Sequence, residues 1–141
     1  FGRPEATERV GALITEVINE LGLRDTVVEV GLNYDVGVSG SRLSSGQRQK
    51  LAIARSVLKR PDILFLAEST AALDTASQGL IMRNLLEEFA DRGLVWVVHT
   101  PDLARDFDHV LVMRSGKIAE EGTFEDLNRD GTYFKQLLDG A

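Results

Sequence analysis

Arg42-Leu43-Ser44-Ser45-Gly46-Gln47-Arg48-Gln49-Lys50-Leu51-Ala52-Ile53-Ala54-Arg55-Ser56-Val57-Leu58-Lys59-Arg60-Pro61-Asp62-Ile63-Leu64-Phe65-Leu66-Ala67-Glu68-Ser69-Thr70-Ala71-Ala72-Leu73-Asp74 reads as a polar turn, a helix, a buried strand and an acidic tip. Leu43 to Gln47 opens the helix with small residues, so several backbone N–H groups stay approachable at its positive end and a phosphate oxygen fits there. Leu51, Ala54, Val57 and Leu58 then turn toward a core, Lys59 and Arg60 complement the negative end, and Pro61 stops the helix. Ile63-Leu64-Phe65-Leu66 is a continuous apolar run, the pattern of a strand buried on both faces of a parallel sheet. Glu68 follows just past its end, where open α/β sheets place their ligands.

Upstream, Phe1-Gly2-Arg3-Pro4 lacks an initiator Met and is expected to be a cut into a longer polypeptide. Val10, Leu13, Ile14, Val17, Ile18 and Leu21 recur at helical spacing and give one apolar face that ends at Gly22. Residues 23–42, broken by Gly31, Gly37 and Gly40, predict loops with one helical turn. Downstream, Asp74 caps a helix from Thr75 to about Ala90 by accepting near Ser77, with Ile81, Leu85 and Phe89 as its buried stripe. Gly93 ends that helix, and Leu94-Val95-Trp96-Val97-Val98 predicts a second buried strand finishing at His99. Asp102 to Phe107 reads as a short helix. His109 to Met113 and Lys117 to Glu120 read as strands of a hairpin turning at Ser115-Gly116. Thr123 and Asp126 fit a reciprocal cap, and Tyr133, Phe134, Leu137 and Leu138 fit a last amphipathic helix. This alternation of helix and strand argues for an α/β fold.

The 141 residues, 43% of them hydrophobic, suffice for one compact domain with a core. A net charge of -6 without a basic run leaves nucleic acid no electrostatic footprint. Cysteine is absent, so the chain holds neither a disulfide framework nor a thiolate metal site, which suits a reducing cytosol. No apolar stretch approaches the length that spans a bilayer.

The order L-S-S-G-Q, helix, R-P-D, four apolar residues, A-E-S-T-A-A-L-D and later V-V-H-T resembles the nucleotide-binding domain of ATP-binding cassette (ABC) transporters, over nearly the whole chain. The Gly-Ser-Arg-Leu-Ser lead into the turn and Glu-Gly-Thr-Phe-Glu-Asp-Leu after the hairpin resemble the exporter type. The resemblance implies a P-loop NTPase-like fold with a mostly parallel sheet, part of a helical signature subdomain over 1–60 and a catalytic α/β portion with its hairpin over 61–141. It implies that ATP lies between two such domains, one giving a phosphate-binding loop and the other the signature turn. Ser44, Ser45, Gly46 and Gln47 match that turn, Glu68 the glutamate that orients or deprotonates the attacking water, His99 the switch histidine, and Asp74 the loop that communicates across the dimer. Each has a plainer alternative: Ser44 an ordinary N-cap, Glu68 a solvated acid, His99 a structural hydrogen-bonder, Asp74 a helix cap. His109 has no motif support and reads as structural.

Two departures bear on the chemistry. Ala67 stands where the family has an aspartate that holds Mg²⁺ through its water shell, so no metal ligand is assigned there. No Gly-x-x-x-x-Gly-Lys-Ser/Thr occurs, since Gly116-Lys117 is followed by Ile118, so the phosphate cradle is missing. The chain thus looks like the C-terminal portion of the domain, expected not to bind ATP and Mg²⁺ tightly alone. Val38 and Ser39 replace the charged residues of the loop that, by the same resemblance, faces the transmembrane subunits over Val36 to Arg42. The implied setting is the cytoplasmic face of the plasma (inner) membrane, with a second nucleotide-binding domain and a transmembrane domain as partners. Without its central phosphate-loop strand, the sheet is expected to expose backbone edges and apolar surface, favouring either homo-oligomers with strand exchange or a repacking of Lys117 to Glu120 and its neighbour. The rival class is a non-hydrolysing interaction or regulatory domain that completes a partner's ATP site.

Overall fold

The computed structural model describes residues 4–67, 70 and 72–140. Two compact units divide the chain, Phe1–Trp96 and Val97–Ala141. In the first, α1 (Pro4–Glu20), α2 (Arg24–Val30), α3 (Ser45–Val57) and α4 (Thr75–Glu88) accompany a two-stranded sheet of β1 (Ile63–Ala67) and β2 (Gly93–Val97). Its core gathers Val17 and Leu21 of α1, Ile53, Ala54 and Val57 of α3, Leu64 and Leu66 of β1, and Ile81, Leu85 and Phe89 around α4. The helical spacing of each apolar set turns it to a common interior. Val10 is the exception in α1, since it stands in solvent. Ile53, not Leu51, is the fully buried residue of α3, one position round from the predicted face.

Three expectations need correction. Arg24–Val30 forms two turns of helix, although Thr26-Val27-Val28 is β-branched and weakly helix-forming. β1 is buried on one face only: Leu64 and Leu66 are 5% and 3% exposed, whereas Ile63 and Phe65 are 66% and 62% exposed. β2 is likewise partly open, with Val95 and Val97 exposed. Both strands carry the apolar composition of a sheet covered twice, and among the described residues one layer of side chains covers them. Gly93 begins β2 rather than ending a helix; its N–H donates to Asp62 O at 2.9 Å, and a Cβ there would stand 3.0 Å from Ile63 Cγ1.

The second unit holds a 3-10 turn at Pro101–Ala104, shorter than the helix predicted to Phe107, then β3 (Val110–Arg114), β4 (Lys117–Gly122), α5 (Phe124–Leu127) and α6 (Tyr133–Asp139). The strands form the expected antiparallel hairpin, Arg114 opposite Lys117, with an irregularity between Val112 and Met113. Ser115 and Gly116 both take positive φ, 52° and 75°, as a two-residue turn matched to strand twist requires. Phe124 and Phe134 meet edge to face, centroids 5.4 Å apart, over Ala104, Val110, Val112 and Leu127. Glu120 of β4 accepts from Tyr133 N at 2.6 Å and Phe134 N at 2.9 Å, placing a carboxylate on the positive end of α6. No helix among the described residues is long and apolar enough to cross a membrane.

Candidate functional site: the turn that opens helix α3

Leu43 is buried and anchors the turn, while Ser44 and Ser45 are exposed and Gly46 and Gln47 half-buried. Ser44 is the N-cap of α3: its Oγ accepts from Gln47 N at 3.1 Å, and its own N–H donates to Gln47 Oε1 at 2.8 Å. This reciprocal box leaves Ser45 and Gly46 in the first turn, where their N–H groups have no intrahelical acceptor. Ser44 uses its oxygen as an acceptor, so its hydroxyl hydrogen can still be donated. Gln47 closes the box with a neutral amide, so the positive helix end is capped without being neutralised. Its Nε2 reaches Thr26 Oγ1 at 3.4 Å, which ties the turn to α2.

The loop leading in supports itself. Asp35 Oδ1 accepts from Gly37 N at 3.0 Å, and Arg42 Nη1 pairs with Asp35 Oδ2 at 3.0 Å. Arg48 Nη1 donates to Leu43 O at 2.6 Å, and its stem packs where a Cβ on Gly40, at φ +72°, would lie. At the loop tip Val38 is 88% exposed and Ser39 is held at φ 54°.

Asp74 caps α4 as predicted, its Oδ1 accepting from Ser77 N at 2.9 Å. Hydrogen bonds from the Ser77 backbone and side chain hold the Asp74 carboxyl below its usual range, with a smaller pull from Lys50 of α3. The segment before Asp74 lies against the turn: a Cβ on Gly46 would stand 3.3 Å from Ala72 O and 3.3 Å from Leu73 Cδ2. Gly46 is therefore glycine for close approach, not for an unusual φ. Ser44, Ser45, Gly46, Gln47 and Asp74 are thus brought into one neighbourhood.

Glu68 lies outside the described residues. His99 is exposed, two residues beyond β2, in the second unit. Ala67 ends β1 on the exposed face shared with Ile63 and Phe65, and its methyl group offers a cation no oxygen. The residues present do not fit a Mg²⁺ ligand at that position. Gln49 and Gln78, which hold the segment before Asp74, carried no functional assignment from sequence; the Gln47-x-Gln49 spacing was the available signal.

The family model described as "ABC transporter" matches residues 5–71. An ATP-dependent lipid A-core flippase of Xylella fastidiosa is 42% identical over 132 residues, covering 92% of this chain and 22% of the relative. ABC multidrug transporter MDR2 of Trichophyton rubrum is 37% identical over 92% of this chain and 10% of its own length. The mitochondrial iron-sulfur clusters transporter ABCB7 of Oryzias latipes is 36% identical over 88% and 17%. A solved structure of a bacterial Atm1-family ABC exporter with ATP bound superposes with a TM-score of 0.84 at 29% identity, covering 92% of this chain and 23% of that one. The chain thus spans about a fifth of the flippase it matches.

Proposed function

The chain belongs to the ATP-binding cassette transporter family, and from that premise we propose that it works as part of an exporter's nucleotide-binding domain, presenting its signature turn to an ATP held by a second domain. One observation carries this: the exposed Ser44 hydroxyl and the Ser45 and Gly46 N–H groups sit at a helix end capped by the uncharged Gln47, directly beside the Asp74 segment. A γ-phosphate is the matching ligand, because it offers several acceptor oxygens and negative charge to donors arranged around a positive end. In the proposed cycle, ATP draws two domains together and closure moves attached membrane helices at the cytoplasmic face of the plasma membrane. Glu68 would orient the attacking water and His99 contact the γ-phosphate, within a helical signature portion over 1–60 and a catalytic portion over 61–141.

A second reading draws support from Ala67. A domain lacking that carboxylate can still complete a partner's ATP site while its own turns over poorly, acting as a regulatory module. Both readings are tested by mixing the chain with a phosphate-loop-bearing domain of a related exporter and Mg·ATP, then measuring association by sedimentation. ATP-dependent association that Ser44→Ala weakens supports the signature role; association indifferent to ATP removes it. Restoring the carboxylate by Ala67→Asp in a polypeptide extended through its phosphate loop separates the two readings. Faster turnover favours the hydrolytic role, and unchanged turnover with nucleotide still bound favours the regulatory one.

A further inference from the structure

The segment that ends on Asp74 is held from two sides by side-chain amides. From α3, Gln49 Oε1 accepts from Ala72 N at 3.0 Å, while one turn earlier a Cβ on Gly46 would crowd Ala72 O and Leu73 Cδ2, each at 3.3 Å. From α4, Gln78 Nε2 donates to Thr70 O at 2.7 Å and to Leu73 O at 3.2 Å. Leu73 N closes a turn onto Thr70 O at 3.0 Å, and Thr70 itself is buried. Ala72 is therefore bonded to α3 through its N–H, with its carbonyl oxygen close to the first turn of the same helix. Its oxygen lies against Gly46 and its N–H is bonded to Gln49.

Gln49 is past the first helical turn, and its amide oxygen is already committed to Ala72, so its place in the site is indirect. We propose that Gln49 is a positioning residue: it locks the Ser44–Gln47 turn to the Asp74 segment, so that a ligand moving one moves the other. The identity of that ligand, the phosphate of ATP, rests on the reading given above; the lock itself does not. The Asp74 carboxyl is held low mainly by the hydrogen bonds from Ser77, and Lys50, the next residue of α3, adds the smallest of the pulls on it. Gln49 thus does for the register of the site what Ser44 does for its donors.

Substitution separates the acceptor from the shape. Gln49→Met keeps the length and helix preference of the side chain and removes the oxygen, whereas Gln49→Glu keeps an oxygen that accepts from Ala72 N. Amide exchange followed by nitrogen-15 NMR on the full chain is the direct measurement. In Gln49→Met the Ala72 amide is expected to exchange about five- to tenfold faster, as loss of one hydrogen bond implies, with resonance shifts at Ser45, Gly46 and Ser77. Gln49→Glu should return Ala72 toward the original rate. Unchanged exchange at Ala72 and unmoved Gly46 in Gln49→Met would overturn the lock. Gln78→Met serves as a parallel variant, expected to loosen Leu73 and leave Gly46 in place; equal disturbance of Gly46 by both would also count against a specific role for Gln49.

The second measurement is ATP-dependent association of Gln49→Met with the phosphate-loop-bearing domain, where about tenfold weaker binding is expected on the same one-bond basis. Equal affinity for wild type and variant would overturn the positioning role. If the unmodified chain shows no ATP-dependent association, the functional reading falls, and the exchange experiment still decides whether Gln49 joins the two segments.

Discussion

Two helices in this chain begin with the same local device and differ in the charge of the residue that closes it. Ser44 and Gln47 form a reciprocal box at the start of α3, and Thr123 and Asp126 form one at the start of α5. In the second, Asp126 accepts from Thr123 N and Oγ1 and pairs with Arg129 at 2.8 Å, so a carboxylate sits on the positive helix end. In the first, the partner is an uncharged amide on a 13-residue helix. Capping by itself satisfies backbone donors; the charge of the third residue decides whether the end still attracts an anion. The α5 box is a structural corner, and the α3 box is a corner with its field left open.

The largest effects come from the apolar residues beneath the two caps. Phe124, first in α5, and Ile53, two turns into α3, are 2% and 1% exposed and anchor the respective helices. Phe124→Ala is expected to cost about 3–5 kcal/mol and Ile53→Ala about 2–5 kcal/mol, read as lost amide protection in the helix concerned during denaturant titration. A smaller and more diagnostic change converts one box into the other. Gln47→Glu should stabilise α3 by about 0.3–1 kcal/mol through the helix dipole and yet weaken ATP-dependent association about tenfold or more, because charge now occupies the anion's place. A rise in both thermal midpoint and association would remove the distinction between the two boxes.

Deleting the cap hydroxyls comes next. Ser44→Ala and Thr123→Ala should each lower stability by about 1 kcal/mol, measured by urea titration, and Ser44→Ala alone should reduce association. The smallest effect separates the boxes by acid. The Thr123 hydroxyl and backbone hold the Asp126 carboxyl below its usual range, with help from Arg129, so the folded state binds fewer protons than the unfolded chain. Its contribution is therefore present above the unfolded value near pH 4, about 3.9 for a free aspartate, and fades as acid carries pH through the lowered folded value. Asp126→Asn should flatten that part of the stability profile, and Gln47→Ala should leave it unaltered.

Much of this was legible in the sequence because it is local. Ser44 before Gln47, Asp74 before Ser77, Thr123 before Asp126 and Ser115 beside Gly116 each specify a cap or turn within a few residues, and each forms as expected. Arg24–Val30 escaped because its helix sits on β-branched residues and is fixed by tertiary contacts such as Gln47 with Thr26. The burial of Ile63 and Phe65 was misjudged for the opposite reason: an apolar run reports what a strand is suited to, not what covers it. For the site, the turn and Asp74 could be named from their motifs. Gln49 could not, because its partner Ala72 is 23 residues distant and offers a backbone group that every residue has.

The open face of β1 also governs how the material behaves in a tube. Ile63 and Phe65 are exposed two residues apart on a short sheet, with Val95 exposed on the neighbouring strand. Such a row is a sticky spot on a body whose net charge of -6 otherwise keeps copies apart. Added salt shortens the reach of that repulsion without weakening the apolar attraction, so clouding should set in at lower protein concentration as ionic strength rises. A single lysine in place of Phe65 would shift that onset upward while leaving the Ser44–Gln47 turn untouched.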